Sequence, residues 1–336
     1  MADIAKAALC CFGNPMIDMF LTLPQSACDQ VHAVSQGKSH LKPDLFDQLL
    51  EVLHNRYPES MHHLSHVVGG GAVNMSRLLR QQHTGVEISL SGAVGSDESG
   101  GRIADELQLF GIHTDFQVVD DHTGRILYIA YLSHGRYAGF EVIASPAAAR
   151  TYPGNVHFDV SGSDVFVEGF FPDGSGLRKQ IGGAVDPGHI VILDLGSRSA
   201  AGEAASLIHA VCRRKLQLII FGTEDEMESL YRIMSKQDLL EAQAVLVVKQ
   251  GECGACVITR SFSHHHPAVL SQVPASEILT VGAGDAFCAG FLTVVYQEPL
   301  EYWHHPERLC AGLAAGSEFA ARIISDRINL LRPSYK

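Results

Sequence analysis

No stretch of the 336-residue chain approaches the ~18 consecutive apolar residues a membrane helix needs. Basic residues are scarce: 25 Lys and Arg stand against 37 Asp and Glu, a net charge of −12 with His neutral. An acidic chain without basic runs is a poor partner for nucleic acid or for an anionic membrane. The acidic excess could still surround a local positive site for an anionic ligand. Charged residues of all kinds reach only 18%, against 46% hydrophobic, so long disordered tails are not expected and a large buried core is. Repeats and low-complexity linkers are missing too. The eight cysteines are scattered. Cys10 and Cys11 adjoin in an apolar segment, which fits a reduced, buried strand better than a disulfide framework. The opening "MADIAKAALCCFGNP" has one Lys and an apolar run short for a signal peptide. A cytoplasmic protein is expected.

Several catalytic fingerprints are absent as well. The dinucleotide motif G-x-G-x-x-G fails twice, because Asn74 and Phe287 stand where the third glycine belongs. A phosphate loop before Gly37-Lys38-Ser39 fails because His32 replaces its first glycine. The one C-x-x-C, Cys253 and Cys256, sits where Gly251 and Gly254 flank a hairpin turn, and it reads as structural rather than as a redox or zinc site. Runs of histidine at 62–63, 264–266 and 304–305 read as loop residues, since neighbours in one regular element cannot all face one ion. Neither H-E-x-x-H nor G-x-S-x-G occurs.

What is present is alternation. Strands such as "VILDL" and "LQLIIF" are apolar on both faces, as in a parallel sheet covered by helices. Amphipathic helices intervene, among them "PDLFDQLLEVLHNRY" and "SGGRIADELQLFG", the latter closed by Gly111. Residues 112–143 break the rhythm with successive strands joined by polar turns. The expected architecture is one doubly wound α/β domain over residues 1–336, with a small β-sheet lid from about 14–24 and 112–143.

Glycine clusters mark the strand ends. In "LTVGAGDAFCAGF", Phe287, Phe291, Leu292 and Val295 recur at helical spacing, so a helix starts near Gly284 or Asp285. Unpaired amides and the helix dipole make such a start an anion site. Asp285 beside it is either a base for a hydroxyl attacking phosphorus or a helix-capping residue. From spacing alone the two readings stand level. "VVGGGAVNMSRLL" puts Asn74 in a second helix start, and "GNPMID" puts Asn14 and Asp18 just past the first strand. Strand ends of a parallel sheet share one edge, where ligands bind. Asp18, Asn74 and Asp285 could therefore meet in one crevice, and a carboxylate with an amide suits a vicinal diol.

These motifs carry a resemblance over nearly the whole chain. "GAGDAFCAGF", Gly69-Gly70 followed by Asn74, "GAVGSDESGG" and "HTG" at 122–124 are similar to signatures of the ribokinase or phosphofructokinase-B superfamily. "GNPMID", "DLFDQLLEVL", "SPAAARTY" and "VEGFF" resemble its adenosine kinases. The resemblance implies an ATP-dependent phosphotransferase acting on a nucleoside 5′-hydroxyl, or alternatively on a free sugar, and dependent on Mg²⁺. It implies Asp285 as catalytic base and the amides of Gly282, Ala283 and Gly284 as an anion hole. Asp18, Gly70 and Asn74 would hold the ribose diol, Asn14 would lie near the base, Phe170 would stack on a purine, and Arg136 would approach the phosphates from the lid. Thr223 and Gly251, with Gly282 and Gly284, would pass the nucleotide, and Glu226 would order magnesium through water. Three positions depart from the family: Thr223 replaces an Asn, Arg150 replaces an Asn, and Leu279 replaces an Asp that often helps hold a monovalent cation, which is left without that support. A nucleoside-binding relative without catalysis is the other class open; Thr223 and Leu279 favour it and Asp285 opposes it. A monomer and a homodimer both fit.

Overall fold

The computed structural model describes residues 7–331, apart from 83–84, 135, 151–158, 173–175, 270–279 and 298–302. Leu279 lies outside the described residues. Among those described, thirteen strands run in chain order: β1 (Ala8–Phe12), β2 (Met16–Pro24), β3 (Ser65–Gly69), β4 (Glu87–Gly95), β5 (His113–Val119), β6 (Gly124–Ser133), β7 (Arg136–Ser145), β8 (Asp164–Glu168), β9 (Ile190–Asp194), β10 (Gln217–Thr223), β11 (Val245–Lys249), β12 (Ala255–Ile258) and β13 (Ser263–His266).

Nine of them form one sheet in the order β13-β12-β11-β10-β9-β8-β1-β4-β5. Seven neighbours, from β5 to β11, are parallel. β12 and β13 add an antiparallel edge. The winding direction reverses at β1, which pairs with β4 on one side and β8 on the other. Ligand crevices of open α/β sheets open at such a point, beyond the carboxyl ends of the strands.

Both faces of the sheet are covered. Ile192, Phe221 and Val247 point into a core shared with helices Gly71–Gln82 and Ala283–Val295. Their neighbours Leu193, Ile220 and Leu246 point into a second core, against helices Leu177–Ala184 and Ala205–Arg213. A two-residue period inside an all-apolar strand thus divides it between two cores. Each fully buried side chain of this size contributes ~1.5–3 kcal/mol relative to exposure. Phe287 and Phe291, one helical turn apart, meet Phe221 edge-to-face with centroids 6.5 and 5.2 Å away, which seats helix Ala283–Val295 on the sheet.

The remaining four strands form a smaller sheet in the order β3-β2-β6-β7. The stretch expected to form the excursion, 112–143, divides. Residues of β5 extend the large sheet, parallel to β4, and only β6 and β7 join β2 in the small one. β5 alternates exposed and half-buried positions because it is an edge strand, so it looks like a lid strand in sequence. The third partner of the small sheet is β3, which runs directly into Gly69-Gly70. His264–His266 sit on edge strand β13, not in a loop. Cys253 does belong to the turn between hairpin strands β11 and β12, whereas Cys256 lies within β12, opposite Val248. All eight cysteines are free thiols. No helix among the described residues is long and apolar enough to cross a membrane.

Candidate active site

Four neighbouring strands of the large sheet end within two residues of one another, Asp194 standing level with Phe221 and Thr223 two residues beyond. β8 ends in Glu168, β9 in Asp194, β10 in Thr223 and β11 in Lys249. Register pairs Glu168 with Asp194, and Thr223 with Lys249. Each lies two residues beyond a side chain of the core that helices Gly71–Gln82 and Ala283–Val295 share: Phe166, Ile192, Phe221 and Val247. The same period of two carries these polar ends to that face. There the amino termini of the two helices meet them.

Gly282 opens helix Ala283–Val295 in the left-handed conformation, φ 78°, and no side chain caps it. Asp285 is the third helical residue, so it is not the helix-capping aspartate that spacing allowed. Its Oδ2 accepts a hydrogen bond from Asn74 Nδ2 at 3.0 Å, across a separation of 211 residues. Asn74 occupies the first turn of helix Gly71–Gln82. A Cβ on Gly71 would stand 3.2 Å from Asp285 Oδ1 and 3.1 Å from the Glu168 carboxyl carbon, so both carboxylates face the start of that helix. Of the three amides expected to form an anion hole, that of Ala283 donates to the Thr280 carbonyl at 3.0 Å.

Glu168 joins three segments. Its Oε2 accepts from the amides of Asn14 at 3.1 Å and Ala72 at 3.0 Å. Complete burial raises its pKa to about 7, against the pull of those amides and with a further push from the Asp285 charge. Beyond it, Asn14 Nδ2 donates to the Phe170 carbonyl at 2.7 Å. Buried Arg178 donates to the carbonyls on either side, Gly169 and Phe171. Three successive carbonyls are thereby fixed, and the Phe170 ring is left about half exposed beside Gly196.

Lys249 supplies the cation. Its Nζ donates to Asp194 Oδ1 at 2.8 Å and lies 3.3 Å from where a Cβ on Gly284 would be. Burial works against its charge, yet Asp194, Cys288 and Glu226 together hold the ammonium above its ordinary pKa. Thr223 and Glu226 form a capping box at helix Glu224–Tyr231: Glu226 Oε2 accepts from the Thr223 amide at 2.7 Å, and Thr223 Oγ1 from the Glu226 amide at 3.4 Å. One oxygen of Glu226 is therefore committed to its own helix. Gly251, φ 59°, begins the turn after Lys249.

On the other side of the crevice, Asp18 is buried in β2, opposite Val67 and Ile126. A Cβ on Gly69 would overlap its carboxylate, and one on Gly70, φ 101°, would overlap the Asn14 carbonyl. These two glycines let β3 close against β2 and β1's exit. The structure thus gathers Asn14, Asp18, Gly70, Asn74, Gly282–Asp285, Phe170, Thr223, Glu226 and Gly251 around the strand ends. Arg136 is not among them. It pairs with Ser133 at the hairpin tip, seven residues along β6 from the level of Asp18, roughly 23 Å at ~3.3 Å per residue. Sequence reading missed Glu168, Lys249, Asp194 and Arg178. The available signal was a charge closing an otherwise apolar strand.

Residues 46–163 and 193–321 match the description "pfkB family carbohydrate kinase". The chain belongs to the pfkB family. It is therefore a phosphotransferase with an alcohol group as acceptor. It is 25% identical over 295 residues to the 5-dehydro-2-deoxygluconokinase of Lacticaseibacillus casei, a match covering 82% of this chain and 85% of that protein. Among solved structures it is similar to the adenosine kinase of Sinorhizobium meliloti, with a TM-score of 0.71 and 17% identity over 96% of this chain and 94% of that one. A probable sugar kinase from Rhizobium etli is alike to the same degree, at TM-score 0.70, 17% identity and coverages of 97% and 99%. The two solved structures share the ribokinase-like fold of this chain, and the names of the three similar proteins divide between sugar and nucleoside acceptors.

Proposed function

We propose that this pfkB kinase transfers the γ-phosphoryl group of ATP to the 5′-hydroxyl of a nucleoside, adenosine foremost. The observation that carries this reading is the sheet face on which Asp18 stands. In register, Asp18 shares that face with Val67 and Ile126, and the next rows bring Phe20 and Tyr128, then Phe140. Phe20 stacks on Tyr128 at 4.9 Å and Tyr128 on Phe140 at 6.2 Å. Val281, one residue before the Gly282 turn, packs against the same cluster. A buried carboxylate running into an aromatic surface suits a ligand with a diol at one end and a flat apolar ring at the other.

In the reaction, Asp285 takes the proton of the 5′-hydroxyl as that oxygen bonds to phosphorus and the bridging oxygen departs with ADP. Asn74 holds one oxygen of Asp285, which fixes the carboxylate for this task. The helix start at Gly282–Gly284 and the Lys249 ammonium stabilise charge developing on the transferred group. Asp18, Gly70 and Asn74 position the ribose, Asn14 and Phe170 the base. Thr223 and Gly251 lie toward ATP. Asp194 and Glu226 beside Lys249, with Asp285 and Glu168 facing the start of helix Gly71–Gln82, offer oxygen donors that fit a hard dication. Glu226 would help hold Mg²⁺, through water as the family resemblance implies, and the ion would supply charge neutralisation on the phosphates. Arg136 joins only if the small sheet closes over the crevice, and closure excludes competing water. Eight free thiols support a cytoplasmic setting.

A sugar acid is the second reading, favoured by the names of the curated relatives. ADP release measured with adenosine, other ribonucleosides, ribose and 5-dehydro-2-deoxygluconate decides. The highest kcat/KM with adenosine supports the nucleoside reading, and the highest with the keto sugar acid replaces it.

A further inference from the structure

The small sheet has a second functional-looking cluster, on the face away from Asp18. Glu141 in β7 pairs with Ile129, one residue out of phase with the Asp18 rows. Helix Cys28–Ser35 crosses that face, and its Cys28 and His32, four residues apart, stand on one side of the helix. Cys28 Sγ lies 3.9 Å from His32 Nδ1, and His32 Nε2 lies 3.4 Å from Glu141 Oε1. One donor atom from each residue can be chosen so that all lie within 4.8 Å of one another. Metal–ligand bonds of ~2.0–2.3 Å in a tetrahedron set donor atoms roughly 3.5 Å apart. Because one ion takes a single imidazole nitrogen, the His32 ring must turn as the donors close from within 4.8 Å to that spacing.

Two further features distinguish it from a surface ion pair. The Tyr131 hydroxyl donates to the other oxygen of Glu141 at 2.7 Å, which turns Oε1 toward His32. Such a partner orients a ligand carboxylate. The three donors also open on a groove of about 830 Å³, which gives a hydrated ion an entry path and leaves room for a water as fourth ligand. This groove is separate from the Asp285 crevice.

We propose that Cys28, His32 and Glu141 bind one zinc-class divalent cation that ties helix Cys28–Ser35 to β7. Thiolate, imidazole and carboxylate together select a borderline-soft ion over Mg²⁺ or Ca²⁺. Binding displaces the Cys28 thiol proton to solvent as the metal–sulfur bond forms, with no change of oxidation state.

The test is titration of the metal-stripped full chain with Co²⁺, read by its thiolate-to-cobalt absorption and displaced by Zn²⁺. One equivalent per chain is expected. Cys28→Ser should abolish the band, and His32→Ala should weaken binding more than Tyr131→Phe, for which a supporting residue predicts ~10–100-fold. Cys253→Ser and Cys256→Ser, which remove the C-x-x-C pair, should leave the band unchanged. No band at one equivalent, a band surviving in folded Cys28→Ser, or a band lost in Cys253→Ser would overturn the proposal.

Discussion

Glu168 closes an apolar strand, is wholly buried, and still holds two amides of other segments. Its pKa of about 7 against an ordinary 4.5 makes it a pH-dependent element of stability. Between those values the folded protein keeps a proton that the unfolded chain has released. Stability therefore falls as pH rises through this window, by up to about 3 kcal/mol. Glu168→Gln should flatten that slope in urea unfolding at pH 5 and pH 8; an unchanged slope would mean the carboxyl titrates normally. Lys249 and Asp194 make the opposite case, a pair held charged. Lys249→Met leaves a buried carboxylate alone and should cost ~3–5 kcal/mol, whereas Lys249→Met with Asp194→Asn should cost less than the single change. Equal losses in the two variants would deny the coupling. Asp285 and Asn74 could be read from the sequence because glycine-rich helix starts announce themselves. Glu168, Lys249 and Asp194 could not, because only the sheet register brings these three distant strand ends to one edge of the sheet.

On the proposed reading, the small sheet and the loop 169–171 shape the acceptor side. The sheet carries Asp18 and its aromatic row on one face and packs Leu21, Ile129 and Ile143 into the core with the other. If the row receives a base, Tyr128→Leu should keep the fold while raising KM for adenosine roughly 2–10-fold, the range of an aromatic contact of ~0.5–1.5 kcal/mol, with a smaller change in kcat. A fall in kcat with KM constant would point elsewhere. In the loop, Arg178 holds the carbonyls flanking Phe170. Arg178→Lys lacks the planar fork that serves both and should raise KM for the nucleoside while leaving ATP affinity close to wild type. A parallel loss of both affinities would make Arg178 a general stability residue instead. The strands themselves were legible from alternation, but their sheet was not. An exposed edge strand and a lid strand share one pattern, so β5 read as part of the excursion until its pairing with β4 fixed it.

At the scale of the molecule, a parallel sheet with two cores brings the amino termini of two helices to one edge, and the small sheet stands across from them. The doubly wound architecture followed from strands apolar on both faces and from the motifs of the pfkB family. The acceptor did not, because the proposal for it rests on which side chains share a face of the small sheet, and that follows from strand register rather than from any motif. Net acidity, −12 over the chain, leaves Lys249 and the Gly282–Gly284 helix start as local positive ground within a negative molecule.

The central claim is that Asp285, steadied by Asn74, is the base for phosphoryl transfer to a nucleoside. AMP formed from adenosine and ATP, measured for wild type and Asp285→Asn side by side, tests it most directly. The account predicts AMP from the wild type and a rate lowered on the order of 10²–10⁴-fold in the folded variant. Wild-type protein that makes no AMP, or a variant that makes it at the wild-type rate, would contradict it.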